Sequence, residues 1–243
     1  MLLYYIRHGD PTYDPDELTP LGHRQAEAIA RRLYRYGLDE VYVSSSNRAR
    51  QTAQPTCELL KLQPTVLDWA NESHAWREMT MPTPDGGETW GFFLPEIQAL
   101  FTSREFRALG DEWLHHERFE GTSFANGHLR IRNEARAFVK ALGFAYDGEL
   151  GRYKNLRYGT ASGPQRRIAL FAHHGVSLSF LSAVLDIPFP QICLKTNMTF
   201  TGMSVIEFPE QGEYAIPQLL TLSDCGHLLA ADLPEHYNNC LYL

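Results

Sequence analysis

The chain has 243 residues, 44% of them hydrophobic and 21% charged, with a formal net charge of −7. That is the composition of an ordinary globular protein long enough to bury a sizeable core. The acidic balance excludes a broad nucleic-acid or anionic-membrane footprint, so an anionic ligand has to be drawn in by a local basic pocket.

Leu2–Arg7 reads as a short buried strand, apolar and aromatic, closed by Gly9, and not as a secretory signal, because no basic segment precedes it. A helix is predicted over Pro20–Tyr36, with Thr19 as N-cap, Pro20 at the first helical position and Gly37 as the stop. Glu40–Ser44 follows as a second strand. Asn47 then caps a second helix, in which Pro55 should cause a kink by removing a backbone bond. A third strand holds Val66–Leu67. Ile131, Ala135, Phe138 and Leu142 mark an amphipathic helix over 127–142. Arg167–Ala172 is an apolar strand leading into a helix lined by Val176, Phe180 and Val184. The uncharged stretch Ala169–Leu185 is broken by His173, His174, Gly175 and serines, so it reads as strand, turn and helix and not as a membrane span. Thr201–Phe208 and Gln218–Leu222 complete the strands.

Strands alternating with helices predict an α/β fold, a three-layer sandwich with a mostly parallel central sheet flanked by helices. Two segments break the rhythm. Residues 73–126 are rich in Trp, Pro, Gly and aromatics and read as an inserted cap over the carboxyl edge of the sheet, where α/β proteins gather function. Residues 145–166 read as a loop or hairpin excursion. With no linker in view, 1–243 is expected to be one domain.

Polar residues recur at the strand ends. The first strand ends in Arg7-His8-Gly9, and the second is followed by "SSSNRARQTA" with Arg48. The third leads to "DWANESHAW" with Glu72, and Arg167–Ala172 ends in His173-His174-Gly175. If the strands are neighbours, all of these converge on one edge. A phosphate monoester carries about two negative charges near neutral pH, so attack on it is a matter of positioning and neutralisation. Arginine forks suit the oxygens, and a neutral imidazole suits the attack.

"RHG" on the first strand, "LTPLGHRQA" at 18–26, "RARQTA" and the late "HHG" together resemble the histidine phosphatase superfamily, discontinuously over about 2–95 and 127–208. The resemblance implies a phosphoglycerate mutase-like fold and a phosphomonoesterase that needs no metal or other cofactor. It makes His8 the nucleophile forming a phosphohistidine, with Arg7, Arg48 and the late histidine holding the phosphoryl group. Arg48 is preferred to Arg50 as the first arginine of its motif. His173 is preferred to His174 from the distance to "DIP" at 186–188, and His174 stays open. Glu72 is preferred as acid and base because it follows the third strand directly, with Glu78 and Glu88 as alternatives. The chain departs from the family in Asp10, where Glu is common, and in "SSSN", where "SSPL" is common. The same five residues would serve a phosphoglycerate mutase-like transferase, and a non-catalytic phospholigand-binding protein is the reading outside catalysis.

The expected partner is a small phosphorylated substrate, with no nucleic acid and no membrane; a homo-oligomer is left open. Cys57, Cys193, Cys225 and Cys240 are widely spaced with no CxxC pair, which argues against a zinc knuckle and suits reduced thiols in the cytoplasm. A metal-hydrolase site at His115, His116, Glu117 and His128 is disfavoured, since adjacent residues on a helix point about 100° apart. Trp69, Trp76, Trp90 and Trp113 are expected to form mainly the cap's own core. Arg77, Arg104 and Arg107 are expected on solvated faces, although they could bind a second anionic group.

Overall fold

The computed structural model describes residues 1–160 and 163–237. Its central sheet has six strands: β1 (Leu2–Arg7), β2 (Glu40–Ser44), β3 (Thr65–Leu67), β4 (Arg167–Ala172), β5 (Met203–Glu207) and β6 (Gln218–Asp224). Their order across the sheet is β6-β5-β1-β4-β2-β3, and only β5 runs against the rest. β1 and β4 lie side by side in parallel register, with Arg7 opposite Ala172, so His8 and His173 leave the sheet as neighbours. β1, β2 and β4 are bounded as the sequence pattern predicts. β5 starts two residues later than expected, after Thr201 has taken a positive φ of 55°.

Five helices position the site: α1 (Pro20–Tyr36), α2 (Asn47–Leu60), α3 (Glu72–Met79), α4 (Phe124–Ala141) and α5 (His174–Leu185). Thr19 caps α1 through its side chain, which accepts from the Gly22 N–H. α2 is capped by Ser46 and not by Asn47, which is already its first residue, and the helix continues across Pro55. α5 is buried on nearly every side, which explains its uniformly apolar and small-residue sequence.

The region read as a cap carries α3, a hairpin of Thr80–Pro82 with Glu88–Trp90, and short helical turns. Its aromatic residues do not form a separate core. Phe92, Phe101, Trp113, Phe119 and Phe124 belong to the same buried cluster as Leu3, Tyr5 and Phe180. The excursion at 145–166 holds a hairpin, Phe144–Asp147 with Arg152–Asn155, extended by Tyr214–Ala215; residues 161–162 lie outside the described ones. Among the described residues no helix is long and apolar enough to cross a membrane. Cys57, Cys193 and Cys225 are free thiols, and Cys240 lies outside the described residues.

Candidate active site

The loop that leaves β1 is held by backbone at His8 and by side chains at Gly9 and Asp10. His8 N–H donates to the Ala172 carbonyl at 2.9 Å, and Thr201 N–H donates to the His8 carbonyl at 3.2 Å. Gly9 N–H donates to Thr52 Oγ1 at 2.9 Å, and that hydroxyl donates to the Arg48 carbonyl at 2.7 Å. Gly9 and Gly22 let the loop touch the start of α1. A Cβ on Gly22 would stand 2.2 Å from the Asp10 carbonyl oxygen, and one on Gly9 would stand 2.8 Å from that of Gly22. This close backbone approach is what the glycines of "RHG" and "LTPLGHRQA" are for.

His8 is buried, and its Nδ1–H donates to the Gly9 carbonyl at 2.7 Å, which leaves Nε2 with the lone pair. Burial, then Arg7 and Arg48, holds its pKa well below the usual 6.5, so the ring is neutral. His173, the N-cap residue of α5, has its ring centroid 5.1 Å from that of His8. Its Nε2 meets Ser44 Oγ at 2.8 Å and Ser46 Oγ at 3.2 Å, and its pKa is depressed by burial and then by Arg48.

Glu72 opens α3. Its Oε1 accepts from the Gly175 N–H at 2.9 Å, and its Oε2 lies 3.0 Å from Arg48 Nη2 and 3.6 Å from His173 Nδ1. Ligating atoms of His8, Glu72 and His173 all lie within 4.8 Å of one another. Arg48 also forms an ion pair with Asp16 at 2.6 Å. Arg7 donates to the Met198 carbonyl at 2.5 Å and lies over the Phe200 ring; burial lowers its pKa to about 10, which leaves it cationic at neutral pH. The trio of His8, Glu72 and His173 is the one group among the described residues with metal-like spacing. Two guanidinium groups share its pocket, which disfavours a cation there.

The structure therefore brings together His8, Arg7, Arg48, Glu72 and His173. His174, the first residue of α5, is buried beside them, its pKa lowered to about 3 by burial and by Arg7. Glu78 is not part of the cluster: its carboxylate is paired to Arg130, with Oε1 at 2.8 Å from Nε and Oε2 at 2.7 Å from Nη2. Glu88 is exposed on the cap hairpin. His128 is a packed core residue against Phe189, its pKa lowered by burial to about 3; His115 ends one short 3-10 helix and Glu117 opens the next, with His116 between them.

Sequence reasoning missed the hairpin of Pro11–Tyr13 with Asp16–Leu18, and with it Asp16 and Tyr13. Asp16 holds Arg48, and the Tyr13 ring lies 5.2 Å from the Arg48 guanidinium. Two prolines and short, mostly exposed strands gave no alternating pattern to read. The tryptophans divide. Trp113 is 1% exposed and Trp69 packs on Phe138 and Phe180, both in the core shared with the sheet and not in a core of the cap's own. Trp76 and Trp90 instead line a cleft of about 890 Å³ with Arg48 and Glu72. Arg77 reaches this cleft but donates to His74 Nδ1 at 2.6 Å.

The architecture is that of the phosphoglycerate mutase-like α/β sandwiches, with the polar cluster at the carboxyl edge of a mostly parallel sheet. Residues 3–91, which carry Arg7, His8, Arg48 and Glu72, match the model for the histidine phosphatase superfamily (branch 1). Among solved structures it is similar to a mycobacterial glucosyl-3-phosphoglycerate phosphatase, at 20% identity and a TM-score of 0.58, covering 92% of this chain and 99% of that one. It is also similar to a phosphoserine phosphatase from Entamoeba histolytica, solved with 3-phosphoglyceric acid. There the identity is 18% and the TM-score 0.57, covering 93% and 98% of the two chains. A mycobacterial hydrolase aligns at 21% identity and a TM-score of 0.59, covering 92% and 98%. At these identities the likeness is one of fold. No curated protein sequence matches the chain.

Proposed function

We propose that the chain is a phosphatase of small phosphorylated metabolites, a phosphomonoesterase that works through a phosphohistidine on His8 and needs no metal. One observation carries this reading: atoms of His8, Glu72 and His173 lie within 4.8 Å of one another, with Arg48 on the same carboxylate at 3.0 Å. A single phosphoryl group can bridge such a cluster.

In this mechanism the neutral His8 attacks phosphorus through Nε2, and the bond to the ester oxygen breaks as Glu72, in its protonated form, gives that oxygen a proton. Glu72, now a carboxylate, takes a proton from water, which attacks phosphorus and breaks the N–P bond to release phosphate. Arg7 and Arg48 neutralise the phosphoryl oxygens. His173 Nε2 meets the Ser44 hydroxyl at 2.8 Å; with that hydroxyl as donor, the proton of the neutral ring sits on Nδ1 and donates to a phosphoryl oxygen. The two arginines supply the positive charge that a metal would otherwise bring. The cleft opens to solvent beside Trp76, 39% exposed, which favours water over return of the phosphoryl group to substrate, as a mutase would require.

Phosphate release from a generic aryl phosphate by wild type and by His8→Ala, each with and without a strong chelator, tests the reading. Wild type should be active and indifferent to the chelator, and His8→Ala should lose more than about a thousandfold. An acid-labile phosphoryl adduct should be trapped on wild type alone. Activity of His8→Ala near that of wild type overturns the nucleophile assignment, and loss on chelation overturns the metal-free mechanism.

A further inference from the structure

The cleft leading away from Arg48 and Glu72 has a wall that hydrolysis itself does not require. Trp76 lies four residues after Glu72 on α3, so the two project from one helix face. Trp90 arrives on the cap hairpin, where it pairs with Thr80. The two indoles meet edge to face, with centroids 5.2 Å apart and planes at 89°. They form a right-angled corner.

Trp90 is fixed in that corner. It stacks on Phe92 at 5.4 Å, and its ring presses on Gly175, where a Cβ would stand 2.6 Å from the indole and 3.0 Å from Glu72 Oε1. The ring edge and the carboxylate therefore crowd one point, beside the proposed proton donor to the leaving oxygen. Trp113 shows how the chain treats an indole used for packing alone, burying it to 1% exposure. Trp76, at 39%, keeps ring surface open in the cleft, with the Tyr13 ring also on its wall. An apolar ring placed there would lie against one indole and abut the other, the two arrangements that aromatic pairs favour.

We propose that the Trp76–Trp90 corner is the leaving-group subsite, and that the substrates are phosphomonoesters whose leaving group carries an apolar ring face a few bonds from the ester oxygen. The inference rests on the His8–Glu72 reading above, which sets where the leaving oxygen lies.

The test compares 2-phenylethyl phosphate with propyl phosphate. Both are esters of primary alcohols, so the ratio of their kcat/KM values reads recognition more than intrinsic reactivity. Wild type should favour the 2-phenylethyl ester by about tenfold or more, chiefly through KM. Trp76→Ala should reduce the ratio to within about threefold, and Trp76→Phe should retain most of it. Trp76 is partly exposed, so the truncation leaves no sealed cavity, and thermal melting checks the fold. Absence of a preference in wild type, or an unchanged ratio in Trp76→Ala while both reactions still depend on His8, overturns the corner alone. Turnover of both esters that survives His8→Ala overturns the phosphohistidine reading instead.

Discussion

Replacing Gly175 by alanine adds one methyl group where the carboxylate and an indole meet. Gly175 lies inside α5 with ordinary helical backbone, so alanine introduces no dihedral strain and the effect is steric. The new carbon would stand 2.6 Å from Trp90 Cη2 and Cζ2 and 3.0 Å from Glu72 Oε1. Carbon atoms are in best contact at about 3.5–4.0 Å, so the indole has to retreat by roughly 1 Å. Phe92, 1% exposed and stacked behind it, resists that movement. Part of the shift then falls on Glu72 and lengthens its 2.9 Å hydrogen bond from the Gly175 N–H. A displacement of about 1 Å in a reacting constellation costs about a hundredfold in rate. Overpacking of a core site costs about 1–3 kcal/mol, and each kcal/mol lowers Tm by about 2–4 °C in a chain of this size. Steady-state kinetics on an aryl phosphate should show kcat/KM down by about two orders of magnitude in a folded protein with Tm lowered by several degrees. A variant with wild-type kcat/KM and unchanged Tm would refute the crowding argument.

Two carboxylates on α3 are expected to separate cleanly. Glu72→Gln should lower kcat by about 10²–10⁴-fold, while Glu78→Gln should leave kcat unchanged and cost stability through the loss of its Arg130 pair; equal kinetic effects would remove Glu72 from its role. Acid should destabilise the fold through buried histidines. His128 and His174 have folded pKa values near 3 against about 6.5 when unfolded, so the unfolded chain binds more protons between those limits. Their stabilisation is complete above pH 6.5 and is lost as pH falls toward 3, at up to about 1.4 kcal/mol per pH unit for each. Urea unfolding at pH 7.5 and 5.0 reads this slope. His128→Phe should flatten it by about one proton, and an unchanged slope would show that His128 is not excluded from protonation.

Much of the site was legible because its residues follow strands whose apolar runs are unmistakable. β1, β2 and β4 end where their polar residues begin, and the parallel register of β1 with β4 makes His8 and His173 neighbours. The late histidine was harder. Both histidines are buried, and only the extended backbone of His173 at the helix cap turns its ring toward Glu72, a distinction that no spacing rule carries. Asp16 was invisible because its hairpin is short, polar and proline-containing, and an acidic loop residue looks solvated until its arginine is placed beside it. The cap aromatics could not be sorted in advance. Whether an indole faces core or cleft depends on how the hairpin at Thr80–Trp90 docks on α5, and that is set by Gly175, more than eighty positions further along the chain.

The main-chain anchoring of His8 has a consequence for how such an enzyme can change. Its tautomer and orientation come from the carbonyl of Gly9, the carbonyl of Ala172 and the amide of Thr201, none of which a point substitution elsewhere deletes. Side chains on the cap hairpin can then be exchanged while the His8 ring keeps its orientation. The aim of His8 is thus set apart from the wall of the cleft, whereas Glu72 shares α3 with Trp76, so exchanges on that helix have to spare the carboxylate.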